Sequence, residues 1–288
     1  MRKSRMGIVM MTPAVLFLCG FLVFPVLSTM VNSLYRDSPV TGREFCGLDN
    51  YRRLAGDGQA LDTVEFTFLF VVASVSLEMA AGVLIALAIN RVVTGRGFFR
   101  ASVILPWAVP TVVAAVMWKY IFNDQYGIVN YLVYGDSLQM YSAWLARPAT
   151  ARLAIILADV WKSSSFVALI ALAGLQTVPE ELMEAARIDG AGPSRRFFHI
   201  TLPLIRPALL VALLFRVMDA FRVFDLVYVM TQGAPSGKTG VLQFFGYLKM
   251  FPEQQYGYGS AVAVVVFLII AVLSILLVRT LGRRMMAE

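Results

Sequence analysis

The sequence predicts an all-α polytopic membrane protein built on six transmembrane helices. Three observations carry that expectation. Of 288 residues, 59% are hydrophobic and only 15% are charged, where a soluble domain of this size carries about a quarter charged residues. Several apolar runs reach the roughly 20 residues needed to cross a bilayer. The stretches between them hold Gly, Pro, Asn, Asp and charge, the composition of connections. No composition shift marks a separate soluble domain and no internal repeat stands out, so residues 1–288 read as a single membrane domain.

Arg2, Lys3 and Arg5 precede the first apolar run, which continues from Gly7 to about Leu34. That run is too long for a signal-peptide core and lacks a small-residue cleavage site, so it reads as an uncleaved first helix over about 8–34. The remaining spans are expected at about 64–90, 101–122, 153–176, 206–230 and 258–281. Cys19 and Cys46 are too few for a disulfide framework.

Basic residues set the orientation. Arg2, Lys3, Arg5, Arg91, Arg96, Arg100, Arg187, Arg195, Arg196, Arg206, Arg279, Arg283 and Arg284 flank one side of the spans densely. The other side holds Arg36, Arg43, Arg52, Arg53, Arg147, Lys238 and Lys249 over longer connections. The denser set belongs in the cytoplasm, giving an N-in, C-in topology. The formal charge of +7 is explained by this distribution and does not call for nucleic acid.

Charges inside the spans are the candidates for function. The fifth span carries Arg216, Asp219, Arg222 and Asp225. Four unpaired charges there cost about 10 kcal/mol or more on insertion scales, so the helix requires ion pairing, a water-filled cavity or both. The spacing of three lets each Arg reach an Asp one turn away, and the set winds around the helix rather than forming one stripe. Internal ion pairs and a polar substrate pathway are both compatible with it. Glu78 in the second span, and Asp159 and Lys162 followed by Ser163–Ser165 in the fourth, extend the pattern; a lone Glu78 can equally bond a neighbouring backbone. In the third span Pro106 and Pro110 bend the axis, as a packing kink or as a gate.

Enzymatic signatures fail on inspection. Gln232–Thr239 imitates a phosphate-binding loop, but Gln232 stands where that motif needs Gly and no strand precedes it. His199 is the one histidine, too few for a zinc site.

Between the fourth and fifth spans lies a charged segment, 177–203. Thr177 and Glu180 have capping-box spacing, with Pro179 in the permissive first turn. A helix is expected from about Pro179 to Asp189, stopped by Gly190, with a second short element from Pro193 ending before Pro203. Ala185 and Ala186 leave a low face between Glu184 and Arg187, open either to a partner's groove or to the membrane surface.

Glu184-Ala185-Ala186, Asp189-Gly190-Ala191, Ile200, Leu202-Pro203 and Pro207 resemble the coupling motif of ABC importer permeases. Leu105–Pro110, Tyr126–Asn130, Asp159–Lys162 and Phe224–Thr231 resemble the sugar-uptake branch, of the maltose and glycerol-phosphate type, and Phe215-Arg216 with Asp219-Ala220-Phe221-Arg222 looks most like its trehalose- or maltose-type members. One departure is Gln232-Gly233-Ala234-Pro235, where the family often has Gly-Gly-Pro. The resemblance implies the type I permease fold in a bacterial-type cell membrane, half of a pathway for a sugar such as trehalose or maltose. It implies a second permease, two cytoplasmic ATPase subunits that hold ATP and Mg, and an extracytoplasmic sugar-binding protein. This chain itself would have no cofactor, metal or catalytic site. Glu184, Ala185, Ala186, Arg187, Asp189 and Gly190 would then couple to the ATPase, and Asp219, Arg222, Asp225 and Tyr228 would face the substrate pathway. An ion-coupled secondary transporter is the alternative; it calls for inverted repeats or paired broken helices, which the sequence does not display.

Overall fold

The computed structural model describes residues 11–40, 42–91 and 95–282. Arg2, Lys3, Arg5, Arg283, Arg284 and the expected start of the first span at residue 8 lie outside them. The elements are α1 (Met11–Asn32), β1 (Tyr35–Ser38), β2 (Gly42–Phe45), α2 (Asp49–Gly56), α3 (Gly58–Asn90), α4 (Arg96–Ala108) and α5 (Thr111–Ile121). After them come α6 (Ile128–Tyr134), α7 (Pro148–Leu175), α8 (Glu180–Ile188), α9 (Pro193–Ala220), α10 (Asp225–Met230), α11 (Leu242–Met250) and α12 (Tyr256–Leu277). Among the described residues, five helices are long and apolar enough to cross a membrane, and a bent pair of helices gives a sixth when counted as one span.

The chain forms two compact units. The first contains the chain up to Leu61 together with Phe245–Leu268; the second contains Asp62–Phe244 and the chain from Ile269. In the first unit a short hairpin, absent from the all-α expectation, pairs Tyr35 with Phe45 and Ser38 with Gly42. Gly42 takes the left-handed conformation its turn requires (φ +70°). Asn50 on α2 anchors this strand, donating to the carbonyls of Ser33 and Tyr35 at 2.8 Å each.

In the second unit the helices approach through small residues, as membrane helices do where backbones must pack closely. Ala86 and Ile89 of α3, Ala171, Leu172 and Leu175 of α7 and Ile205 of α9 form a buried cluster. At Gly174 an added Cβ would stand 2.9 Å from that of Ala208, so only hydrogen fits between α7 and α9.

Two expected spans are corrected. The third, expected as one helix over 101–122, is two helices meeting at 88°. Val109 is extended (ψ 130°) because the ring of Pro110 disfavours the helical region for the residue before it. The fifth, expected over 206–230, begins at Pro193 and ends at Ala220. Pro203 does not break it, because the missing donor falls beside a π-helical turn at Phe197–Thr201 that shifts the hydrogen-bond register. The segment from Pro193 is therefore the start of a span and not a separate element. Residues Phe221–Phe224 interrupt the helix, so Arg222 sits in the break and Asp225 opens α10.

Candidate functional site: a buried arginine hub and an exposed connecting helix

Arg216 on α9 gathers three carboxylates. Its Nε and Nη2 donate to the two oxygens of Glu78 on α3 at 2.6 and 3.1 Å. Nη2 also donates to Asp159 Oδ2 on α7 at 3.2 Å, and Nη1 to Asp219 Oδ2 at 2.8 Å. Glu78 is fully buried and Arg216 is 4% exposed, whereas the Asp219 side chain is 71% exposed. The hub thus ties three helices together through Glu78, Asp159 and Arg216, buried charges that are costly unless paired. Ser163 Oγ also donates to Asp159 Oδ1 at 3.2 Å. Glu78 pairs with Arg216 rather than with a neighbouring backbone.

The expected alternation of Arg–Asp pairs is only partly realised. Arg216–Asp219 forms, but Arg222 and Asp225 make no ion pair among the described residues because the helix ends between them. Arg222 is exposed and Asp225 half-buried; Tyr228, 40% exposed, stacks on Phe224 with centroids 5.3 Å apart.

Lys162, one turn along α7 from Asp159, donates to the carbonyls of Trp107 and Val109 at 3.0 and 2.7 Å. Those carbonyls are released where α4 breaks at Pro110, so an ammonium stands in for the missing helix amides. Beside it runs an aromatic row. Trp107 meets Phe166 at 6.0 Å between centroids, and Phe166 meets Phe215 at 6.1 Å. Lys162 and Phe166, like Phe215 and Asp219, are four residues apart on one helix and share a face. A charged layer therefore lies one turn from an aromatic layer, with Trp107 48% and Phe215 57% exposed.

The connecting helix α8 has the opposite character. Its end is a Schellman stop: Ala191 N–H bonds the Ala186 carbonyl at 2.9 Å, Gly190 N–H bonds the Arg187 carbonyl at 3.1 Å, and Gly190 has φ +76°. The predicted glycine stop is observed, but the capping box is not. Pro179 occupies the cap position without a side-chain bond, and Thr177 Oγ1 donates back to the Gly174 carbonyl at 2.8 Å. Glu184, Ala185, Arg187 and Asp189 are exposed and Ala186 is half-buried. Leu182 is 46% exposed and Ile188 87%. Thr201 holds the helix to α9 from behind, its Oγ1 lying 3.8 Å from Met183 Sδ.

A family model described as the inner membrane component of binding-protein-dependent transport systems matches residues 78–287. The chain belongs to this family. Similar to it are the trehalose/maltose transport system permease protein MalF of Thermococcus litoralis and the trehalose transport system permease protein SugA of Mycobacterium tuberculosis. MalF is 39% identical over 93% of this chain and 91% of its own length; SugA is 34% identical over 98% and 90%. A bacterial ABC transporter that imports the acidic polysaccharide alginate superposes with a TM-score of 0.86 at 21% identity, over 98% of this chain and 96% of that one, a likeness of fold.

The chain is thus a multi-pass inner-membrane permease, and the ion-coupled alternative falls away. In this permease the sequence offers Asp219, Arg222, Asp225 and Tyr228 as pathway candidates and Arg216 as a member of internal ion pairs, but it does not single out Arg216 as the hub or Trp107, Phe166 and Phe215 as an aromatic row. The hub is partly legible: an intramembrane Arg must find carboxylates, and Glu78 and Asp159 were the buried ones to hand. The aromatic row has no sequence signal, since it depends on which faces three helices present to one another.

Proposed function

We propose that the chain is one permease subunit of an ATP-driven ABC importer of a neutral sugar, with a disaccharide such as trehalose or maltose as the first substrate to test. It pairs with a second permease of the same family, rests on two cytoplasmic ATPase subunits that bind ATP and Mg, and receives sugar from an extracytoplasmic binding protein. The observation that carries this reading is α8, a rigidly stopped helix between two spans that presents Leu182, Ile188, Glu184 and Arg187 outward.

Helix α8 seats in a groove of the ATPase. Ala185 and Ala186 permit close approach, Glu184 and Arg187 pair with charges of the partner, and the turn at Asp189–Gly190 fixes the angle at which α9 leaves. Motion of the ATPase then passes to α9, which carries Arg216 and Asp219. Sugars present hydroxyl rims and apolar ring faces. The aromatic layer and Asp219, with Arg222, Asp225 and Tyr228 as further candidates, supply the two matching surfaces for weak, reversible contact.

The test is to purify the complex, reconstitute it with its binding protein, and screen sugars for stimulation of ATP hydrolysis. One disaccharide should stimulate it. Glu184→Lys and Gly190→Val should leave the protein in the membrane and abolish stimulation. Wild-type stimulation in both variants, or transport by this chain alone down an ion gradient, overturns the reading.

A further inference from the structure

The first unit carries an open surface pocket of about 310 Å³, at the lower end of the roughly 300–1,000 Å³ that ligand pockets span. It lies between the β1 side of the hairpin, α2 and the turn before α12, on connections that the charge distribution assigns to the exterior. Seven of its eleven lining residues carry guanidinium, carboxylate or amide groups. Such planar groups offer paired donors and acceptors, the geometry that vicinal hydroxyls satisfy.

These walls are held by a second layer of bonds. Asn50, 5% exposed, is fixed by its two backbone carbonyls. Glu253 accepts from Lys249 at 2.8 and 3.0 Å and from Gln255 Nε2 at 3.0 Å. The Arg53 guanidinium lies 4.3 Å from the ring centroid of Tyr258, whose hydroxyl is bonded to Asp57 at 2.9 Å. Some hydrogen-bonding capacity is left unused. Arg53 and Asp37 make no ion pair among the described residues, and the amide oxygen of Gln255 has no partner. Gln254 is held at φ +53°, a conformation non-glycine residues rarely adopt and one that recurs at ligand clamps.

The lining charges cancel, two Arg against one Asp and one Glu, so an ion gains nothing from entering. The apolar lining comes from Pro39, Val40 and the ring of Tyr258, with Val40 93% exposed at the hairpin tip. We propose that this cavity is a second, external binding site for a neutral polyhydroxyl ligand of mono- or disaccharide size, with Asp37, Arg53 and Gln254 as its hydroxyl-binding groups. The identity of the ligand as a sugar rests on the transport reading above.

The test is a saturation-transfer NMR titration of the intact purified complex with trehalose and with maltose, in the absence of binding protein. Arg53→Gln and Gln254→Gly should each weaken binding of the sugar about tenfold, the loss expected for one charge-assisted or strained contact. Gln254→Gly keeps the fold safe, because glycine relaxes the left-handed position. Unaltered titrations in both cavity variants overturn the proposal, as does a wild type that binds neither sugar. Unaltered sugar binding with lost affinity for the binding protein also overturns it and assigns the cavity to that protein. If no sugar stimulates wild-type ATP hydrolysis while the cavity variants still lose binding, the transport reading falls and the site stands.

Discussion

The hub around Arg216 and the helix α8 use the same residue types to opposite ends. Glu78, Asp159 and Arg216 are each under 10% exposed and satisfy one another across three helices. Glu180, Glu181, Glu184 and Arg187 on α8 are all exposed and make no ion pair among the described residues. Where the surround is apolar, a charge must find an internal partner or unfold the helix that carries it. Where water is at hand, a charge can stay open for another protein. Exposure, not residue type, divides the structural charges of this permease from those left open to solvent.

The sharpest way to break that comparison is Arg216→Met. It leaves Glu78 and Asp159 buried without a cation, a loss of about 3–5 kcal/mol for one partner of a buried pair. Purified complex should melt far lower or fail to assemble. Glu184→Gln on α8 should shift stability by less than about 0.5 kcal/mol, as surface substitutions do. Thermal unfolding in detergent reads both, and equal shifts would mean that burial does not separate the two regions.

Lys162→Met comes next. It removes the donor shared by the carbonyls of Trp107 and Val109 at the 88° break; the first bond is exposed and the second half-buried, so the loss should be about 1 kcal/mol. The loss should appear as faster hydrogen exchange around Val109–Ala115, with α8 unaffected. A uniform change over the whole chain would assign Lys162 to the hub instead of the break.

Asp219→Asn should have a smaller effect on stability. Its side chain is 71% exposed, and exposed pairs contribute about 1 kcal/mol or less. Transport should fall more than assembly does. A complex that dissociates in this variant would place Asp219 wholly within the hub.

How far these regions could be read from sequence follows the same division. Spans were legible because hydropathy is a local property: α3, α7 and α12 lie within about six residues of their expected bounds. The stop at Gly190 was legible because one residue fixes the geometry. The Glu78–Arg216 pair was not, since 138 positions separate the partners and only packing of α3 against α9 brings them together. The length of the fifth span was misread for a local reason: proline at 203 signals a stop, and the π turn before it removes that signal. The hairpin at Tyr35–Phe45 has four-residue strands too short and too charged to show a strand pattern.

Asp57 offers the finest test, because it lies on the water side and yet has internal partners. Its Oδ1 accepts from the amides of Gln59 and Ala60 at 2.9 and 3.3 Å, capping α3, and its Oδ2 accepts from the Tyr258 hydroxyl at 2.9 Å. Burial pushes this carboxyl up, but the Tyr258 hydroxyl, the two amides and the charge of Lys249 together outweigh it and hold the group below the usual carboxylate range. A carboxyl lowered on folding stabilises the native state above its unfolded value of about 3.9, and that contribution is lost as pH falls through the folded value. The melting temperature of wild type should therefore exceed that of Asp57→Asn at pH 7, with the gap closing below about pH 4. Glu184→Gln, which alters a carboxylate open to water on α8, should show no such closing gap. A wild-type advantage over Asp57→Asn that stays constant from pH 7 to about pH 3 would show that the cap acts through shape alone and that charge plays no part in it.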